Sequence, residues 1–242
     1  MSNDWQTRTR LLIGNTGVTK LAKTHVLLAG VGGVGGHIAE SLARAGIGKI
    51  TLIDMDVVSE SNRNRQLVAL TSTVGLAKVF VMSERIKQIN PACEVECIEQ
   101  IICEDASDVL AKIHPDIVVD AIDSVSCKVA LLIAAVNAGL LVYSSMGAGR
   151  RLDVRKVTVM DVMDTQGCGL ARQVRAKLRK AGIGRGIVCV ASTELPRSTG
   201  EPEAVMTGGT RVVNGTISYM PALFGLMLTG EVLRGLLEEI QK

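Results

Sequence analysis

Hydrophobic positions along this chain alternate between short, wholly apolar runs and stretches with helical spacing. Residues 5–23 mix apolar groups with Gly14 and Gly17, which predicts a helical arm with a break. HVLLAG (25–30) and KITLID (49–54) read as buried strands, and residues 34–45 between them carry Ile38, Leu42 and Ala45 on one helical face. Residues 55–77 are polar and irregular, and helical periodicity resumes over 78–88. EVECIE (94–99) predicts a strand, 105–112 a helix, and DIVVDAID (116–123) a strand ending in two carboxylates. A helix over 124–138 and a strand over 140–145 complete a β-α-β-α-β-α-β-α-β series with short connections. That series gives an α/β fold, a Rossmann-like doubly wound and mostly parallel sheet with helices on both faces.

Beyond it, 156–163 alternates and predicts an antiparallel C-terminal extension of the sheet. Residues 164–187 form a basic helical segment, 186–193 another strand, and 194–211 a Gly/Pro/Thr-rich loop. Residues 212–230 read as a loop feeding a packing helix rather than a membrane span, because Asn214, Gly215 and Pro221 interrupt them. Contact of that helix with a membrane surface stays open. The expected organisation is one domain over 1–242, with an N-terminal arm (1–23), a nucleotide-binding core (24–150) and a substrate and dimer extension (151–242).

Composition narrows the function. A net charge of +3 on 242 residues is too small to declare a polyanion partner, and 2% aromatics leave few platforms for stacking single-stranded bases. No secretory signal follows the polar N-terminus, which points to the cytoplasm. Six cysteines (93, 97, 103, 127, 168 and 189) form no C-x-x-C pair, so free thiols in a reducing compartment are expected.

Gly30-Val31-Gly32-Gly33-Val34-Gly35 follows a strand and opens a helix. Such glycines let backbone N–H groups approach an anion, and the helix N-terminus adds partial positive charge. Asp54 ends the next strand, where a carboxylate accepts hydrogen bonds from ribose hydroxyls. This pattern reads as a nucleotide site and does not by itself separate NAD from ATP. Arg65 and Lys78 both follow the second strand, on the edge where open α/β sheets bind ligands. Converging cations there would neutralise a pyrophosphate leaving group, and Asp123 on the same edge would hold Mg²⁺ on the phosphates.

Gly30-x-Gly32-Gly33-x-Gly35, Asp54-x-Asp56, Asn62-x-x-Arg65-Gln66, Gly75-x-x-Lys78 and Asp120-x-x-Asp123-Ser124 resemble the ubiquitin-activating-type adenylation family, whose bacterial members include MoeB, ThiF, HesA and TcdA. The resemblance implies an ATP- and Mg²⁺-dependent enzyme that adenylates a carboxylate and releases pyrophosphate. It implies that Gly33 lines the phosphates, Asp54 takes the ribose, Asn62, Arg65 and Lys78 contact the phosphates, and Asp123 organises the metal. It also implies a homodimer in which Arg8, with Arg10 in reserve, enters the partner's site.

Within that family the second half is more similar to the TcdA branch, through Gly147-Ala148-Gly149 and the run 186–194. TcdA-like members are tRNA threonylcarbamoyladenosine dehydratases, which implies a modified tRNA as substrate. The cations Arg172, Arg175, Lys177, Arg179, Lys180 and Arg185 suit either tRNA phosphates or a solvated amphipathic helix, and Arg150-Arg151 would extend the same surface.

Cys189 is weighed as an acyl or persulfide carrier against an inert buried thiol, the commoner case in an apolar strand. His25, His37 and His114 show no metal-ligand spacing. The alternatives are adenylation of a ubiquitin-like sulfur-carrier protein, with that carrier or a desulfurase-type protein as partner, an NAD-dependent oxidoreductase, or a nucleotide-responsive module without turnover.

Overall fold

The apolar run His25–Ala29 forms β1, the centre of the molecule, with Val26 and Leu28 turned to one face of the sheet and Leu27 and Ala29 to the other. Burial on both faces is why this strand, β2 (Lys49–Ile53) and β4 (Ile117–Asp120) read as continuous hydrophobic runs. The computed structural model describes residues 4–198, 202–205, 209–212 and 214–238. With β3 (Glu94–Ile98), β5 (Leu141–Ser145), β6 (Val157–Asp161) and β7 (Val188–Ser192), the seven strands lie in the order β3-β2-β1-β4-β5-β7-β6. All pairings are parallel except β6 with β7. The doubly wound sheet and its antiparallel extension are therefore as the pattern predicts.

Helices α2 (Gly35–Ala45) and α3 (Lys78–Ile89) cover one face with α7 (Tyr219–Glu238), and α4 (Ala106–Ile113), α5 (Val125–Asn137) and α6 (Gly169–Lys180) cover the other. Because the chain winds one way from β1 and the other way from β3, the order switches between β1 and β4. A crevice opens outside the carboxyl ends of those two strands. α1 (Thr7–Lys23) is broken at Gly14, whose backbone leaves the helix with φ +71°. Its last turn leads straight into the amino end of β1, so α1 lies along the edge opposite the crevice.

α7 is, among the described residues, the helix long and apolar enough to cross a membrane. Met220, Phe224, Leu228 and Val232 are nonetheless fully buried, in the same core as α2.

Four expectations are corrected. β4 stops at Asp120, not at residue 123, because the Asp120 carboxylate turns back to accept the Ile122 N–H at 3.0 Å and ends the extended run. The helix in 164–187 covers only Gly169–Lys180. The expected loop over 194–211 instead enters a small hairpin, β8 (Pro202–Val205) paired antiparallel with β9 (Gly209–Val212), which runs one residue past the expected end. Cys103 and Cys127 are joined as a disulfide, linking the connection before α4 to the first turn of α5, so the thiols are not all free.

Candidate nucleotide site

The glycine turn closes the crevice at the switch point. Gly30 has φ +91°, and a Cβ there would stand 2.7 Å from the Ala121 carbonyl oxygen, so only glycine lets the turn after β1 press against the turn after β4. A Cβ on Gly35 would stand 1.8 Å from the Gly30 carbonyl oxygen, which makes the entry to α2 equally exclusive.

Asp54 follows β2 and fastens this turn. Its Oδ2 accepts the Val31 N–H at 2.6 Å and its Oδ1 accepts the Asp56 N–H at 2.8 Å. Asp56 in turn accepts Lys78 Nζ at 2.6 Å. The Lys78 side chain is only 6% exposed, whereas that of Asp56 is 62% exposed, so the ammonium is walled in behind a carboxylate that faces solvent. Lys78 returns to the site because the irregular segment closes on itself through the Val57–Ala77 bridge and the Lys78 N–H to Asp56 carbonyl bond.

Asn62 sits buried in a single 3-10 turn, Glu60–Asn62, and its Oδ1 accepts the Ser59 N–H while its carbonyl receives the N–H groups of Arg65 and Gln66. This lays the Arg65 stem over Gly33, where a Cβ would meet Arg65 Cγ at 3.4 Å. The Arg65 guanidinium donates to Ser61 O and Asn64 Oδ1. Gln66 reaches toward Gly32, and its buried Oε1 has no hydrogen-bond partner. Asp123 is exposed, two residues past the Ala121 carbonyl that touches Gly30, and Ser124 stands just before α5 with its hydroxyl on that of Ser126. Thus Asp54, Asp56, Asn62, Arg65, Gln66 and Lys78 gather around one turn, and the 121–124 turn borders it.

Other predicted residues lie elsewhere. Arg8 is exposed in the first turn of α1, while Arg10 pairs with Asp4 at 2.6 Å. The Gln6 amide packs on Gly46 at the end of α2, which puts this turn at the sheet edge opposite the glycine turn of the same chain. A cavity of about 830 Å³, lined by Thr16, Thr19, Lys20, Lys23 and Leu236 among others, opens at that same far edge.

Cys189 on β7 is fully buried, and that burial pushes its thiol up to about 12. It offers no reachable thiolate for a carrier role. On α6, Arg172, Lys177, Arg179 and Lys180 are exposed, but Arg175 donates to the Thr165 carbonyl at 2.5 Å and Arg185 pairs with Asp164. Lys177, Arg179 and Lys180 occupy the last turn of α6, remote from the crevice, since the helix starts beside Gly147 and descends to the amino end of β7. Arg151 is a further correction. It is 4% exposed and donates to the carbonyls of Gly147 and Gly149, so it pins the loop after β5 instead of facing a polyanion.

A family model described as the ThiF family matches residues 6–242. The chain belongs to the ThiF family. Within it, the chain is 36% identical over 242 residues to the tRNA threonylcarbamoyladenosine dehydratase of Bacillus subtilis (strain 168), covering 97% of this chain and 95% of that protein. It is 39% identical over 213 residues to the Escherichia coli (strain K12) protein of the same name, covering 83% and 80%. The solved structure of E. coli TcdA with AMP superposes with a TM-score of 0.88 at 35% identity over 99% of this chain and 98% of that one. The complex of the same protein with ATP gives 0.87 at 34% identity, with the same coverage. A further relative, the adenylyltransferase and sulfurtransferase MOCS3 of Anopheles gambiae, is 42% identical but only over 118 residues, 48% of this chain and 26% of that protein.

Two contributors to the site carried no side-chain signal in the sequence. They are the Val31 N–H that Asp54 accepts and the Ala121 carbonyl that meets Gly30. The Gly-x-Gly-Gly-x-Gly pattern is the only residue-level hint of that backbone contact.

Proposed function

We propose that this chain is an ATP-dependent enzyme that adenylates the carboxylate of threonylcarbamoyladenosine in tRNA, after which an internal nucleophile of the modified base closes a ring and AMP leaves. The carboxylate oxygen bonds to the α-phosphorus of ATP and pyrophosphate departs; ring closure then breaks the acyl bond to AMP. The observation that carries this reading is the near end-to-end likeness to dehydratases of that name, two structures of which hold AMP and ATP. Those adenine mononucleotides favour ATP over NAD for the crevice.

In this reading the N–H groups of residues 30–35 receive phosphate oxygens and Asp54 receives the ribose. Arg65 and Lys78 neutralise charge on the departing pyrophosphate, Lys78 after exchanging Asp56 for phosphate. Among the described residues no group of three or more His, Cys, Asp or Glu gathers, so a Mg²⁺ would be held chiefly by the phosphates, as that ion commonly is. The exposed Asp123 would be the carboxylate that helps to hold it, and the ion would supply further neutralising charge.

We read the active form as a homodimer in the cytoplasm. Support comes from Arg8, which stands at the wrong edge for its own glycine turn, and from an exposed apolar ridge of Val57, Leu76 and Phe80 beside the site. The exposed α6 cations Arg172, Lys177, Arg179 and Lys180 would meet tRNA phosphates away from the crevice. A second reading, adenylation of a sulfur-carrier protein's C-terminus, has the partial MOCS3 likeness in its favour.

Incubation of the protein with ATP, Mg²⁺ and tRNA carrying threonylcarbamoyladenosine, followed by nucleoside mass spectrometry, tests the choice. Loss of one water from the modified nucleoside, with one AMP formed per event, is the expected result. An unchanged nucleoside would transfer the weight to the protein substrate.

A further inference from the structure

Two charges at the heart of the molecule take no part in the chemistry above. Asp120 at the end of β4 and Lys128 in the second turn of α5 are both fully buried and form an ion pair. Lys128 Nζ also donates to the Ser145 carbonyl at 3.0 Å and approaches Ser144 Oγ at 3.4 Å, so its three protons are engaged. Asp120 Oδ2 takes Lys128 and the Ser144 hydroxyl, the latter at 2.5 Å, and Oδ1 takes the Ile122 N–H. Lys128 has no proton left for a ligand, and full burial closes Asp120 to one.

A buried ion pair is poor value as a stabiliser, because desolvation offsets most of the attraction and apolar replacements of equal volume often do as well. Its placement suggests another use. Asp120 grips residue 122 directly, and Lys128 grips the carboxyl end of β5 from the helix that starts just after Ser124. Both ends of the 121–124 turn are thereby fixed to the strand ends. That turn carries Ala121, pressed on Gly30, and Asp123 at the rim.

We infer that the Asp120–Lys128 pair is a positioning pair that sets the 121–124 turn against the glycine turn, and that it governs turnover rather than nucleotide affinity or folding. This rests on the adenylation reading only for what turnover means; the geometry of the turn is independent of it. Neither residue touches substrate, so both act through Asp123 and the backbone around it.

The double variant Asp120→Leu/Lys128→Met removes both charges without stranding either, and Lys128→Met alone strands Asp120. For the double variant we expect a melting temperature close to the parent's and ATP affinity within about threefold. Turnover of the modified tRNA falls at least tenfold at unchanged KM for ATP, and amide exchange at residues 121–124 becomes at least tenfold faster. Parental turnover in a folded double variant, or unchanged exchange at 121–124, overturns the inference. So does rapid exchange of the Ile122 amide in the parent itself, a readout that requires no variant to fold. A parent protein without activity on the tRNA would instead defeat the proposed function, while the exchange and ATP-affinity measurements would still decide the role of the pair.

Discussion

Asp54 and Val31, 23 positions apart in sequence, are joined by a 2.6 Å hydrogen bond from the Val31 backbone to the Asp54 carboxylate. The bond ties the end of the second strand to the glycine turn, so the residue expected to receive the ribose also shapes the phosphate cradle. Hydrogen bonds to charged acceptors contribute about 1.5–3 kcal/mol each. Asp54→Ala removes two of them and should weaken ATP binding by about ten- to a hundredfold, measured by calorimetry. Asp54→Asn keeps one acceptor oxygen and should lose less.

Arg65→Ala and Lys78→Ala should each slow pyrophosphate release by about ten- to a thousandfold, the range seen when stabilisers of developing charge are removed. ATP binding should suffer less than turnover in both. Release of pyrophosphate at the parental rate in both variants would remove the proposed phosphate clamp.

Mixing an Arg8→Ala subunit with an Asp123→Ala subunit should restore activity that neither has alone, since one hybrid site then has both residues. Activity that stays absent from the mixture would mean that Arg8 serves no neighbouring chain.

The thiols give two readouts. Cys189→Ala should leave turnover within about twofold of the parent, and Cys189 should resist alkylation in the native protein, as a thiol pushed up to about 12 would. A non-reduced digest should contain one cross-linked peptide pair bearing Cys103 and Cys127.

Stability should fall on mild acidification. Burial lowers the His25 pKa below 6.5, with Lys49 adding to the effect, and burial does the same at His37. As pH drops through 6.5 the unfolded chain takes up protons that the folded one still refuses, so the contribution present above 6.5 is progressively lost below it. The melting temperature should therefore decline from pH 7.5 to 5.5, and the decline should be shallower in His37→Gln.

The parallel core was legible because strands buried on both faces leave unbroken apolar runs, and because each helix announces itself by its spacing. The glycine turn and Asp54 were legible for a similar reason, a fixed order of strand, turn, helix and acid. Asp120 shows where such reading stops. Nothing in DIVVDAID marks Asp120 as the buried carboxylate that ends the strand and Asp123 as an exposed one. Arg151 and Arg175 likewise look like surface cations until the carbonyls they serve are seen. Cys103 and Cys127 lie 24 residues apart, a separation without a recognisable spacing. The hairpin β8–β9 is hard to read from the sequence because Pro202, Glu203, Gly209 and Arg211 dilute its two short strands with residues that disfavour or do not mark a strand.

The first turn of α1 stands at the far edge of the sheet from its own crevice, across strands about 16 Å long. A reaction centre completed by the partner's arm, as proposed, would exist only while two chains remain associated. Output per molecule would then drop as the protein is thinned out and climb steeply with its abundance, so the level of expression would set not just how many centres a cell holds but what fraction of them is competent.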